Sequence, residues 1–141
     1  MRRILVVGRN PFEAAILAAS AVAGASLIAA GQRPRSVTES MPPLLQDTWE
    51  IALVVAGVVG LVGIYWPGPP LVGVGAELSA VVVLGTATTM YAIALGAING
   101  WQALPAGTFV GGVGVASWWR AVLIVRDLRR LARHHDATEG S

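Results

Sequence analysis

Three ionisable side chains lie inside apolar stretches: Glu13 in "PFEAAILAAS", Glu77 in "VGAELSAVVV" and Arg120 in "SWWRAVLIV". A charge that hydrocarbon surrounds must find a partner, take up or give up a proton, or reach the interface. Glu77 and Arg120 fall at similar depth on successive spans, so an ion pair between them is expected to lock the two spans together. The alternative is that each reaches the headgroups alone. Glu13 follows "RNPF". Asn10 is a good N-cap, Pro11 suits the first helical position and Glu13 falls at N3, which is a capping-box arrangement. Its carboxylate then faces the positive end of the helix dipole. The competing reading of Glu13 is a transport carboxylate.

Other residue types with chemical potential lead less far. Ser79, Thr86, Thr88 and Thr89 could line a polar path, but hydroxyls in membrane helices more often bond to their own or neighbouring helices. His134 and His135 could bind metal, yet they open the polar stretch "HHDATEGS", expected to be a disordered tail over 134–141. The chain has no cysteine, which excludes disulfides and thiolate metal sites. "RILVVG" has the look of the first strand of a dinucleotide fold, but "GRNPFE" carries the single Gly8 where G-x-G-x-x-G is needed. No nucleophile with its base, metal cluster or phosphate loop is present. The expectation is a non-enzymatic protein with no catalytic residue, metal or cofactor.

The elements that hold these residues are apolar helices. The 141-residue chain is 55% hydrophobic and 13% charged, against about 25% charged in a soluble domain. Polar surface is too scarce to cover a water-soluble globule. Crossing about 30 Å of hydrocarbon takes about 20 apolar residues, and four stretches qualify: 11–31, 48–66, 74–99 and 104–125. The expected fold is all-α, an integral membrane four-helix bundle forming one domain over 1–133. "PGPP" and "WQ" are short connections, so consecutive spans are antiparallel. In the longer first loop, Ser40 can cap and Pro42 and Pro43 can start a helix, so span two can begin before Thr48. A cleavable signal peptide is disfavoured for the first span because Glu13 interrupts its core.

All ten basic side chains are arginine. Arg2, Arg3 and Arg9 precede span one, while Arg120, Arg126, Arg129, Arg130 and Arg133 lie at or beyond the end of span four. Arginine bias of this kind places both termini in the cytoplasm of a multi-pass protein of the bacterial inner membrane. Trp49 and Trp101 fall at the outer ends of spans, and Tyr65, Trp66, Trp118 and Trp119 near the inner ends, as in an interfacial belt. Arg126, Arg129, Arg130 and Arg133 follow the i, i+3, i+4, i+7 spacing of one helical face, away from Ile124, Leu128 and Leu131. This basic amphipathic extension suits anionic headgroups or a partner, and nucleic acid is not an expected ligand. Small residues at Ala52, Ala56 and Gly60, and at Gly107 and Gly111, offer faces for close helix packing within a bundle or between copies.

"RPRSVTESMPPLLQDTWEIALVVAGVVGLVG", "AELSAVVVLGTATTMYAIAL" and "WWRAVLIVRDLRRL" resemble small four-span membrane proteins encoded by bacteriophages of actinobacteria. The resemblance runs from Arg33 to Leu131 and implies a phage or prophage origin without an established activity. The arginine-only basic set, with abundant Ala, Gly and Val, agrees with a GC-rich genome. Three functions follow as expectations. The first is assembly at the membrane, as a homo-oligomer or with another membrane or phage protein. The alternatives are a holin-like lysis pore and a small proton-coupled transporter.

Overall fold

The computed structural model describes residues 11–139, with side-chain surroundings through 130 and at 132 and 133. The chain forms α1 (Pro11–Ala30), α2 (Arg35–Ser40), α3 (Pro43–Ile64), α4 (Pro70–Asn99), a 3-10 turn (Gly100–Ala103) and α5 (Leu104–Glu139). No strand occurs among the described residues. Three helical stretches are long and apolar enough to cross a membrane: Pro11–Ala30, Pro43–Ile64 and Pro70–Arg130. The third stretch is two arms rather than one rod. Gly100, at φ 52°, adopts a backbone conformation that L side chains rarely take and reverses the chain between α4 and α5. Gly31, at φ 61°, ends α1 in the same way, its N–H donating to the Leu27 carbonyl at 3.0 Å.

Proline sets two of the helix starts. Pro43 and Pro70 occupy first-turn positions, where a missing N–H costs nothing and φ is already helical. Both helices therefore begin ahead of the spans anticipated at 48 and 74. At the other extreme, α5 continues to Glu139, well past 125 and into the stretch anticipated as a disordered tail from 134. No Gly or Pro lies between Ser117 and Glu139 to stop it, and Leu, Arg and Ala are strong helix formers.

The helices pack in the order α1–α3–α4–α5, each on the next. Close approaches show every neighbouring pair to be antiparallel. Gly24 lies against Glu50 and Leu53, whereas Gly57 lies against Leu17 and Ala21. Gly63 meets Gly73 and Glu77, whereas Trp49 reaches Ala87. Gly85 faces Ser117 and Trp118, and Gly114 faces Thr89. The α1–α3 seam is the tightest. A Cβ on Gly57 would come within 2.5 Å of the Leu17 carbonyl oxygen, so no larger residue fits without moving backbone. The buried Ser20 hydroxyl also donates across this seam to the Leu53 carbonyl at 2.9 Å.

Two expectations about packing change here. Of the anticipated small faces, Ala56 and Gly60 are buried against α1 and α4 and Ala52 is half-buried. Gly107 has nothing near its Cβ position and Gly111 makes only an ordinary contact with Ala92. Gly114, Gly85, Gly57 and Gly24 make the close approaches instead. Trp49, anticipated at an interface, is 6% exposed in the core. Its indole N–H donates to the Ala87 carbonyl at 3.1 Å, and its ring lies 5.2 Å from that of Tyr91. Trp101, by contrast, is 86% exposed, and Tyr65, Trp66, Trp118 and Trp119 are also exposed.

Candidate functional site

The order α1–α3–α4–α5 leaves α1 and α5 as the two free edges of an arc. They do not pack along each other, and they are joined at one end by charge. Arg120 on α5 donates from Nη2 and Nε to Glu77 Oε1 on α4, at 2.5 and 2.9 Å. The same guanidinium lies 3.1 Å, through Nε, from Glu13 Oε2 on α1. Glu77 and Glu13 side chains are 9% and 12% exposed. The second oxygen of Glu13, Oε1, is buried and has no hydrogen-bond partner among the described residues.

The structure thus brings Glu77 and Arg120 together, as their shared depth suggested, and adds Glu13. Glu13 is not simply a cap. Asn10, its expected capping partner, lies outside the described residues, and the carboxylate turns toward α5. The sequence places Glu13 at the start of α1 but gives no sign of which helix α1 approaches there. The registry of α1 on α3 decides that, through Gly57 and Gly24.

A cavity of about 260 Å³ sits beside the triad, lined by Glu13, Arg120, Phe12, Ile16, Leu84 and Trp119 among others. It shares Phe12, Ile16, Leu84, Val113 and Ala116 with a larger groove of about 1120 Å³. The groove fills the gap between α1 and α5 and is floored by α3 and α4. Its lining is overwhelmingly apolar. The anticipated hydroxyls stay out of any relay. Ser79, Thr86 and Thr88 donate to carbonyls one turn back on α4, and Thr89 accepts a long 3.4 Å bond from the Trp118 indole.

The opposite end of the arc holds a second polar network that sequence reading missed. Arg33, after α1, donates from Nε to Glu50 Oε1 at 2.6 Å and from Nη2 to Glu50 Oε2 at 3.3 Å. Its Nη1 donates to Gln46 Oε1 at 3.0 Å, and Nη2 also pairs with Asp47. Gln46 in turn donates to the Met41 carbonyl at 2.6 Å. The hydrogen bonds accepted by Glu50 and Asp47 hold the Arg33 guanidinium above its ordinary pKa. A signal existed: Gln46, Asp47 and Glu50 share one helical face, and Arg33 and Arg35 precede them.

The basic stripe takes the position its spacing indicates. Arg126, Arg129, Arg130 and Arg133 are all exposed. Ala121 and Ile124 are buried against α4, with Leu128 packed on the same cluster. At 3.6 residues per turn the arginines span an arc of about 100° opposite that packed face. Leu128 packs into the cluster that holds Val74 and Leu78, while α4 begins at Pro70. The helix therefore outruns its partner by roughly two turns. His134 and His135 lie on this extension. No group of three or more His, Cys, Asp or Glu residues able to hold a metal occurs among the described residues. Comparison of the chain with protein-family models, with curated proteins and with solved structures gives no match.

Proposed function

We propose that this chain is an integral protein of the bacterial inner membrane that acts without catalysis, by assembling with a partner or with further copies of itself. Both termini lie on the cytoplasmic side, and the origin is a phage or prophage. The carrying observation is the shape of α5. Its apolar face is used by α4 as far as Leu128, and its arginines then continue into a helix that outruns α4. Arg126, Arg129, Arg130 and Arg133 lie on the face of α5 turned away from α4 and are exposed there, so they are presented to something other than their own bundle. Anionic headgroups hold the stripe at the surface, each arginine contributing about 1 kcal/mol, and an acidic partner surface competes for the same side chains.

The membrane reading is supported by the outward-facing residues. Leu44, Leu71, Ile93, Phe109 and Val115 are each at least 67% exposed, although they are large and apolar. Scattered over three helices, such side chains suit hydrocarbon better than water.

The test is crosslinking of the full chain in intact membranes. Wild type gives a discrete crosslinked oligomer or heteromer. Replacing Arg126, Arg129, Arg130 and Arg133 together by Gln removes that product while the protein remains membrane-extracted only by detergent. A wild-type chain that stays monomeric and uncrosslinked in its native membrane overturns the assembly reading. Extraction without detergent overturns the membrane reading.

A further inference from the structure

The triad fastens the edge helix α1 to the rest of the arc, and its chemistry has no place in the assembly reading. Glu13 and Glu77 do more than share a guanidinium. Their carboxyl groups meet each other at hydrogen-bonding distance. Ionised carboxylates offer acceptors only, so this contact is a hydrogen bond only when one of the pair carries a proton. Two carboxyl groups in one poorly hydrated site also resist a second ionisation, because like charges repel there.

The geometry separates the two members. Glu77 Oε1 accepts from Arg120 Nη2 and Nε at 2.5 and 2.9 Å, whereas Glu13 Oε2 has Nε at 3.1 Å. Glu13 Oε1 is buried and meets no donor among the described residues. That is a costly place for a charged oxygen and a cheaper one for a neutral carboxyl. Arg120 is also engaged beyond these two carboxylates. The other ionisable groups of the packed elements are few. Helix α1 has none besides Glu13, and α3 has none from Leu53 to Ile64. Tyr65, in the loop after α3, is exposed. On α4 the remaining one is Tyr91, which packs on Trp49. On α5 the next after Arg120 are Arg126 and Asp127, both exposed. Arg2, Arg3 and Arg9 lie outside the described residues.

The position of the pair gives such a proton a mechanical consequence. Helix α1 is seated on α3 through Gly57 and Gly24, and Ser20 ties it to Leu53. Its first turn is held to α4 and α5 through Glu13. The cavity of about 260 Å³ beside Glu13 and Arg120 is roomy enough for water.

We propose that Glu13 and Glu77 hold one proton between them, and that its loss releases the first turn of α1 from α4 and α5. The proton passes to water in the cavity, two facing carboxylates replace the hydrogen bond, and the groove opens at the Glu13 end. The Arg33 network holds the far end, so α1 pivots rather than detaches. Attachment is strongest at low pH and is lost as the pH rises through the release.

Two readouts on the full chain in phosphatidylcholine nanodiscs test this. Infrared spectroscopy detects a protonated carboxyl by its C=O stretch. At about pH 6, where an ordinary glutamate is ionised, wild type shows this band, and the band disappears on raising the pH to about 9. Glu13→Gln and Glu77→Gln each lack it from the start, because the remaining carboxylate has the Arg120 guanidinium to itself. The second readout is the distance between spin labels at Ala15→Cys and Val122→Cys, in a chain with no cysteine of its own. In wild type it lengthens in step with the loss of the band. With Glu13→Gln it stays short throughout, because the amide donates to Glu77 and has no proton to release. Absence of the band from wild type overturns the proposal. A band that persists in Glu77→Gln belongs to a solitary acid, and one that survives at about pH 9 belongs to a fixed proton; either overturns it. So does a label distance indifferent to pH, or an opening that Glu13→Gln shares.

Discussion

One arginine serves two carboxylates at each end of this molecule, and the two arrangements behave differently. Arg33 meets Glu50 and Asp47 within a short stretch of chain, with Gln46 taking a further N–H. Asp47 is 56% exposed, so water completes its shell. Arg120 meets Glu77 and Glu13 across three helices, and neither carboxylate has comparable access to water. The same set of residue types is open to water at one end and enclosed by helices at the other. What separates them is solvent and sequence distance, not residue type. Local networks can be completed by water, whereas long-range buried ones depend on every member.

Removing each arginine tests that contrast most severely. Arg120→Ala leaves Glu13 and Glu77 facing each other in a poorly hydrated site, and a loss of about 3–5 kcal/mol is expected, read as thermal unfolding in detergent. Arg33→Ala also strips a buried partner, Glu50, but Gln46 and water remain, so the loss should be smaller, about 1–3 kcal/mol. Equal losses would erase the distinction between the two ends. A double-mutant cycle on Glu77→Gln and Arg120→Gln sharpens it further. Coupling of about 0.5–3 kcal/mol is expected for neighbours in one network, and strict additivity would mean the two side chains act separately. The exposed Arg35–Glu39 pair, one turn apart on α2, sets the lower end of the scale. Glu39→Gln should change stability by no more than about 0.5 kcal/mol.

Much of the helix layout was legible because hydrophobic length and proline placement are local signals. "PGPP" and Gly100 mark the turns in the sequence itself, and Glu77 and Arg120 could be matched by depth alone. Glu13 could not. Its place in the triad follows from how α1 seats on α3, and the residues that fix this seat, Gly57 and Gly24, look no different from Gly107 or Gly112, which make no close contact. Trp49 was misplaced for a related reason. A tryptophan at a span end reads as interfacial until α4 is known to offer it the Ala87 carbonyl and the Tyr91 ring. The groove was invisible in the sequence because it is defined by a missing contact, and no residue pattern encodes which two helices fail to touch.

Helix α1 has one flanking helix along its length and buries only Leu17, Ser20 and Gly24. By contrast, α4 is clasped on both sides and buries nine residues. Attachment is therefore graded across the bundle. The α4–α5 hairpin makes the most extensive contacts of any pair, and α1 joins the arc through α3 along its length and through Glu13 at one end.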